Sequence, residues 1–215
     1  MLKNLLKQLT LALLLMVAVP FVNAQVAHIG DILCEGDAIV SPANYPSSGA
    51  TAIGVVFYVD NTGQHGWAVA LQDAGEYRWG ADGSDTPLPN YVNKRQAIYD
   101  LDGYTNTLIV REHSTDHPAF YAVDFENGWY VPAIGQLNYL YGNLVEVNAS
   151  LQVAGGSTFS ATGIGRYCSS TEFSQYCAWY LSSTSGELDY YINNYSNSHY
   201  TSKRSELRVR GVRNF

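Results

Sequence analysis

Leu137, Leu140, Leu144, Val147 and Leu151 recur at spacings of 3, 4, 3 and 4, which lays them along one face of an α-helix. Gly155-Gly156 stands where such a helix should stop, and Pro132 near where it should start. What flanks this helix limits the fold. Upstream, "HIGDILC" and "AIVS" enclose the turn residues Glu35-Gly36-Asp37, and "AIGVVFYV" and "GWAVAL" enclose "DNTGQH". Both read as β-hairpins, with apolar residues on both strand faces. Downstream, "RYCSS", "CAWYLSS", "GELDYYI" and "LRVRGVRNF" are short extended segments separated by Ser, Asn and Gly. Strands, then helices, then strands within one chain of domain size predict an α+β fold whose terminal strands share a sheet.

Residues 73–103 read as irregular, rich in Gly, Asp and Pro, and "NTLIVREH" as a short helix with Thr105 or Asn106 as its N-cap. Trp129 and Trp179 read as core. Arg208, Arg210 and Arg213 alternate with Leu207, Val209 and Val212. The arginines are therefore expected on the polar face of a closing strand, buttressing loops through backbone carbonyls.

The first residues concern compartment. Lys3 and Lys7 precede the apolar run "LTLALLLMVAVPF", and Val22 and Ala24 supply small residues before Gln25. That is the pattern of a secretory signal peptide over 1–24, with an apolar run shorter than the roughly 20 residues of a membrane span. The expectation is a secreted or cell-surface protein, not membrane-spanning, with one domain over 25–215. Within it, 25–100 would hold hairpins and loops, 101–155 helices, and 156–215 strands and display loops. Without Lys3 and Lys7 the chain keeps 10 basic against 19 acidic residues. Such a surface is a poor partner for nucleic acid, whose phosphates need clustered Lys and Arg.

Three cysteines, Cys34, Cys168 and Cys177, are an odd number for an exported chain. Cys168 and Cys177 are the candidate disulfide, which would close a short loop. No pair has C-x-x-C spacing, and no H-E-x-x-H, G-x-S-x-G or phosphate-cradling loop occurs. His113 and His117 have i,i+4 spacing, but Pro118 and the intervening Ser-Thr-Asp point to a helix end rather than a metal site. The acidic stretches at 81–85 and 100–103 do not continue into a calcium loop ending in Glu and read as turns. No cofactor and no catalysis are expected.

The densest signal is "DYYINNYSNSHY" at 189–200. Tyr offers rigid amphipathic area and Ser and Asn adapt their hydrogen bonds, the composition of an antigen-combining loop. Residues 167–200 lack Lys and Arg. In strand period, Tyr191, Asn193, Tyr195 and His199 would share a face. The predicted ligand-binding residues are Tyr167, Cys168, Phe173, Gln175, Tyr176, Tyr180, Tyr190, Tyr191, Asn193, Tyr195, Asn197, His199 and Tyr200. The expected partner is a protein or glycan on another cell or surface.

"GWYVPAIGQLNYLY" (128–141), "YCSSTE" (167–172), "AWYL" (178–181) and "VRGVRNF" (209–215) occur in that order. Together they resemble the blocks of exported bacterial domains with the C-type-lectin fold. That family is akin to formylglycine-generating-enzyme-like domains and includes variable proteins diversified by retroelements. The resemblance implies a C-type-lectin-like scaffold and a display role for 167–200. Retroelement mutagenesis turns Asn codons into Tyr, Ser, Cys, His, Phe or Asp, a set similar to the one found there. Cys168 departs from the family, which commonly has Trp at that place. The calcium triplets of animal C-type lectins are absent, so metal-dependent glycan binding is not implied. The alternative to a ligand-binding adhesin or receptor is a structural or tip subunit assembled into a surface fibre. An oxidase would need a reactive cysteine pair, for which Cys168 and Cys177 are the candidates.

Overall fold

The turn at Glu35–Asp37 needs a left-handed backbone, and Gly36 (φ 72°) and Asp37 (φ 62°) supply it. It folds β1 (Ile32–Cys34) against β2 (Ile39–Val40), with Ile32 opposite Val40. The computed structural model describes residues 26–81, 83–159, 165–190 and 202–215. In the second hairpin, β3 (Ala52–Val59) returns as β4 (Gly66–Ala70). Its turn is fastened by the Asp60 carboxylate, which accepts from the backbone N–H and hydroxyl of Thr62. β10 (Val212–Asn214) adds to the far edge of β4, giving the antiparallel order β10-β4-β3-β1-β2. Both predicted hairpins and the meeting of terminal strands are present.

A second sheet has the order β5-β9-β6-β7-β8. It comprises β5 (Gly75–Arg78), β6 (Arg166–Ser174), β7 (Cys177–Ser182), β8 (Leu188–Tyr190) and β9 (Glu206–Val209). β6 and β9 run parallel and their neighbours antiparallel. The stretch read as irregular thus contains β5, whose partner β9 lies far along the chain.

Helices α1 (Tyr45–Ser48), α2 (Lys94–Ala97), α3 (Gly103–His113), α4 (Pro118–Tyr121), α5 (Ile134–Gly142) and α6 (Leu144–Val153) complete the α+β fold. The N-cap of α3 is Asp102, whose carboxylate accepts from the Thr105 N–H at 3.0 Å, not Thr105 or Asn106. Asn106 lies inside the helix, donating to Asp100 and Ser170. The long helix is two. Asn143 leaves helical geometry and donates its side-chain amide to Phe57 O at 3.0 Å and Tyr139 O at 3.2 Å. The apolar stripe survives the break because α6 starts at the next residue.

Leu137, Leu140, Val147 and Leu151 are buried with Val55, Phe57, Trp179 and Leu181, while Leu144 is half-buried at the margin. Each fully buried aliphatic side chain contributes about 1.5–3 kcal/mol. A second core holds Trp79, Val110, Phe120, Val131, Cys168 and Val209, with Trp129 packed half-buried against it. Arg210 does not lie on a polar face. It is 2% exposed and donates to the carbonyls of Ala70, Leu71 and Ser157, so the expected buttressing happens from inside. Among the described residues no helix is long and apolar enough to cross a membrane.

Candidate recognition site

β6 and β7 carry most of the predicted site residues that the structure describes. Their register sets Cys168 opposite Tyr180, Glu172 opposite Ala178 and Ser174 opposite Cys177, with irregularities between 168 and 174. Both strands lie inside the sheet, and their side chains are largely buried. Tyr167 is 1% exposed, Cys168 2% and Tyr180 7%. These three were read as ligand-binding and are instead framework. The Tyr167 ring packs on Phe159 at 4.7 Å, and its hydroxyl reaches Asp73 at 3.4 Å. Cys168 sits in the second core.

The candidate disulfide is likewise corrected. Cys168 and Cys177 belong to different rungs of the hairpin, and Cys34, Cys168 and Cys177 are all buried thiols outside any disulfide. Burial pushes the Cys168 thiol up to about 12, far from the thiolate that reactive chemistry requires.

Phe173 is half-buried, edge-on to Trp179 at 5.9 Å. Gln175 and Tyr176 form the exposed turn between β6 and β7. Tyr190 pairs with Trp179 at the end of β8. Tyr191, Asn193, Tyr195, Asn197, His199 and Tyr200 lie outside the described residues, as does the stretch 1–24 read as a signal peptide.

The residues that follow that stretch are anchored by groups the sequence reading did not join. Lys203, in the short 3-10 turn Ser202–Arg204, is wholly buried. Its ammonium donates to Glu172 Oε1 and, at 2.6 Å, to Ser84 O. It also lies 4.3 Å from the centre of the Trp79 ring, a cation–π contact. The Thr86 hydroxyl donates to the other Glu172 oxygen. Backbone bonds add to this: Gly80 N donates to Lys203 O at 3.0 Å, and Lys203 N to Tyr176 O at 3.3 Å. Tyr91 N donates to Glu172 O at 3.0 Å, and the Trp179 indole to Tyr91 O at 2.8 Å. The loop from Gly80 to Tyr91, the Gln175–Tyr176 turn and the return at Lys203 are therefore fastened to one buried ion pair. Burial pushes the Glu172 carboxyl up and the Lys203 ammonium down, and their contact opposes both shifts. Neither residue has a neighbour in sequence that announces its partner.

His117 is buried against Trp79 and His113 stands exposed at the end of α3. Among the described residues no three His, Cys, Asp or Glu side chains are grouped to hold a metal. Asp100 is spent on hydrogen bonds from Asn106 and Thr171, and Asp102 on the α3 cap.

No protein-family model matches this chain, and no curated protein matches it. Among solved structures it is similar to a fimbrial protein from Bacteroides ovatus, with a TM-score of 0.60 and 18% identity. The likeness covers 87% of this chain and 49% of that one, so the chain spans about half that protein's length. At this identity the likeness is one of fold. The C-type-lectin and retroelement resemblance continues to rest on the sequence blocks.

Proposed function

We propose that the chain is an exported binding protein, a subunit of a surface assembly that presents its Tyr-rich stretch for recognition of a protein or glycan. The observation that carries this is the anchor at Lys203. A segment of twelve residues rich in Tyr, Asn and Ser starts at the end of β8 and is followed, after Thr201 and Ser202, by a fully buried lysine clamped to Glu172. A scaffold that fixes both flanks while the segment carries contact-forming residues suits recognition. The shared fold with a fimbrial protein supports a place in a surface structure, and the leader-like start supports export. The lectin-family resemblance supports display, with diversification by a retroelement as the finer reading. The reading is of a binder rather than an enzyme: Cys168 is buried and burial keeps its thiol protonated, which disfavours an oxidase.

Two measurements test it. Protease shaving and antibody labelling of intact producing cells should reach the protein, and sheared surface material should contain it. Surface pull-down with the chain from Gln25 onward should recover a ligand that a Tyr176, Tyr191, Tyr195 and Tyr200 to Ser variant loses without a change in melting temperature. Retention only inside the cell, or full binding by that variant, would overturn the reading.

A further inference from the structure

A second site is built at the opposite sheet, from residues that the recognition site does not use. Tyr58 and Trp67 are partners across the β3–β4 hairpin, and their rings stack with centroids 4.2 Å apart and 27° between planes. Tyr139 of α5 stands edge-on to both, at 5.0 and 5.8 Å. Rings packed so closely ordinarily close a core. Here they border the surface: Tyr139 is 43% exposed, and Tyr58 and Trp67 are half-buried.

Beside them opens a cavity of about 320 Å³ whose wall includes Tyr58, Asp60, His65, Trp67, Asn214 and Phe215, within the size range of small-ligand sites. Gly66 makes room for it. A Cβ there would lie 2.1 Å from Tyr58 O and 2.6 Å from the Phe215 ring, so only glycine lets that ring close over the strand.

Asp60 and Asn214 are oriented by protein contacts and still reach solvent. Asp60 Oδ1 takes both bonds from Thr62, the Gln64 and His65 backbone also stabilises the carboxylate, and the group stays open to solvent. The Thr62 bonds hold the carboxyl below its usual range, so it is ionised at neutral pH. Asn214 Oδ1 accepts from the Tyr130 hydroxyl at 2.7 Å, which fixes the amide so that its NH₂ is the remaining donor group. The exposed His65 imidazole adds a group that can donate or accept.

We infer that this cavity binds a saccharide, with a sugar ring laid on the Tyr58–Trp67 wall and its hydroxyls bonded to Asp60, Asn214 and His65. The chemistry selects this class over others. A sugar ring has apolar C–H faces for aromatic contact and paired hydroxyls that donate to a carboxylate while accepting from an amide. A phosphate or other anion would meet the Asp60 charge. A purely apolar ligand would strip water from that carboxylate and leave it unpaired. A quaternary ammonium is best held by rings on several sides, whereas Tyr58 and Trp67 are stacked on each other.

The test uses the chain from Gln25 to Phe215 with methyl glycosides of glucose, galactose, mannose, fucose and N-acetylglucosamine as probes. Saturation-transfer NMR should show at least one glycoside receiving magnetisation most strongly on one ring face, with tryptophan fluorescence reporting the same titration. Asp60→Asn keeps the acceptor for Thr62 but loses the charge, and should weaken binding about tenfold. Trp67→Phe should weaken it with a native melting profile. The Tyr191, Tyr195 and Tyr200 to Ser variant should bind the glycoside as the parent does, which separates this site from the Tyr-rich segment. No transfer to any glycoside, unchanged binding by both Asp60→Asn and Trp67→Phe, or displacement of the sugar by choline at equal concentration would overturn the assignment.

Discussion

Lys203 and Glu172 form an ion pair with both side chains at 0% exposure, tying the turn after the Tyr-rich stretch to the middle of β6. Thr86, Ser84 O and the Trp79 ring supply the remaining contacts that two desolvated charges need. Lys203→Met leaves Glu172 buried without its cation and is expected to cost about 3–5 kcal/mol. The double variant Glu172→Gln/Lys203→Met should be more stable than Lys203→Met alone, because no lone charge remains. Urea denaturation of the two variants checks both statements.

The tyrosines of 167–180 divide by burial. Tyr167→Ala and Tyr180→Ala should each destabilise by about 3–5 kcal/mol, the range of large aromatic core truncations. Tyr176→Ala and Gln175→Ala, on the exposed turn, should stay within about 0.5 kcal/mol. Leu140→Ala belongs with the first group, at about 2–5 kcal/mol. Thermal melts in which Tyr176→Ala equals Tyr167→Ala would contradict the turn geometry.

Buried thiols outside any disulfide make a chemical prediction. The native protein should resist a thiol reagent such as DTNB at neutral pH, and in denaturant three thiols per chain should react. Its intact mass should be the same with and without reductant. A loss of two hydrogens under non-reducing conditions would restore the bridge between Cys168 and Cys177.

His117 gives a pH dependence. Its ring packs edge-on to Trp79 at 5.3 Å, and Nε2 is buried without a hydrogen-bond partner among the described residues. Burial lowers its proton affinity, opposed by the Ser114 carbonyl and Asp116, while Lys203 and His113 reinforce the shift. The folded state therefore holds fewer protons here than the unfolded chain. Its contribution to stability is present above the unfolded value of about 6.5 and is lost as pH falls through the lowered folded value. Glu172, Asp73 and Asp100, whose carboxyls burial raises, slope the other way in acid. His117→Phe should therefore lose less stability than the parent between pH 7 and pH 5, as read from denaturation midpoints. Parallel curves would show that the imidazole is not buried as a neutral group.

Turn chemistry made the N-terminal hairpins legible, since Gly36 and the Asp60–Thr62 turn do locally what their residue types favour. Periodicity located the apolar face of 137–151 but could not show the break at Asn143. That break depends on a hydrogen bond to Phe57 O, distant in sequence. β5 was illegible for the same reason: four residues become a strand because β9 arrives beside them. In the candidate site, composition alone does not separate a Tyr that faces a core from one that faces water. Tyr167 and Tyr180 were placed with the displayed residues because the sheet that covers them assembles from both ends of the chain. Lys203 becomes a buried cation only where β6 and its turn meet it, which no local sequence signal foretells.

The pairing of β10 with β4 has a consequence for how the chain reaches its fold. Val212 opposes Val69 and Arg213 opposes Ala68, so an early hairpin waits for a strand far along the chain. Chains emerge N-terminus first, and contacts of such long sequence separation slow folding. Until β10 arrives, the edge of "GWAVA" is an unpaired, apolar strand, the kind that recruits other chains. The protein is thus most vulnerable to aggregation during its own synthesis, and a holdase that covers this edge would raise yield without altering the finished molecule.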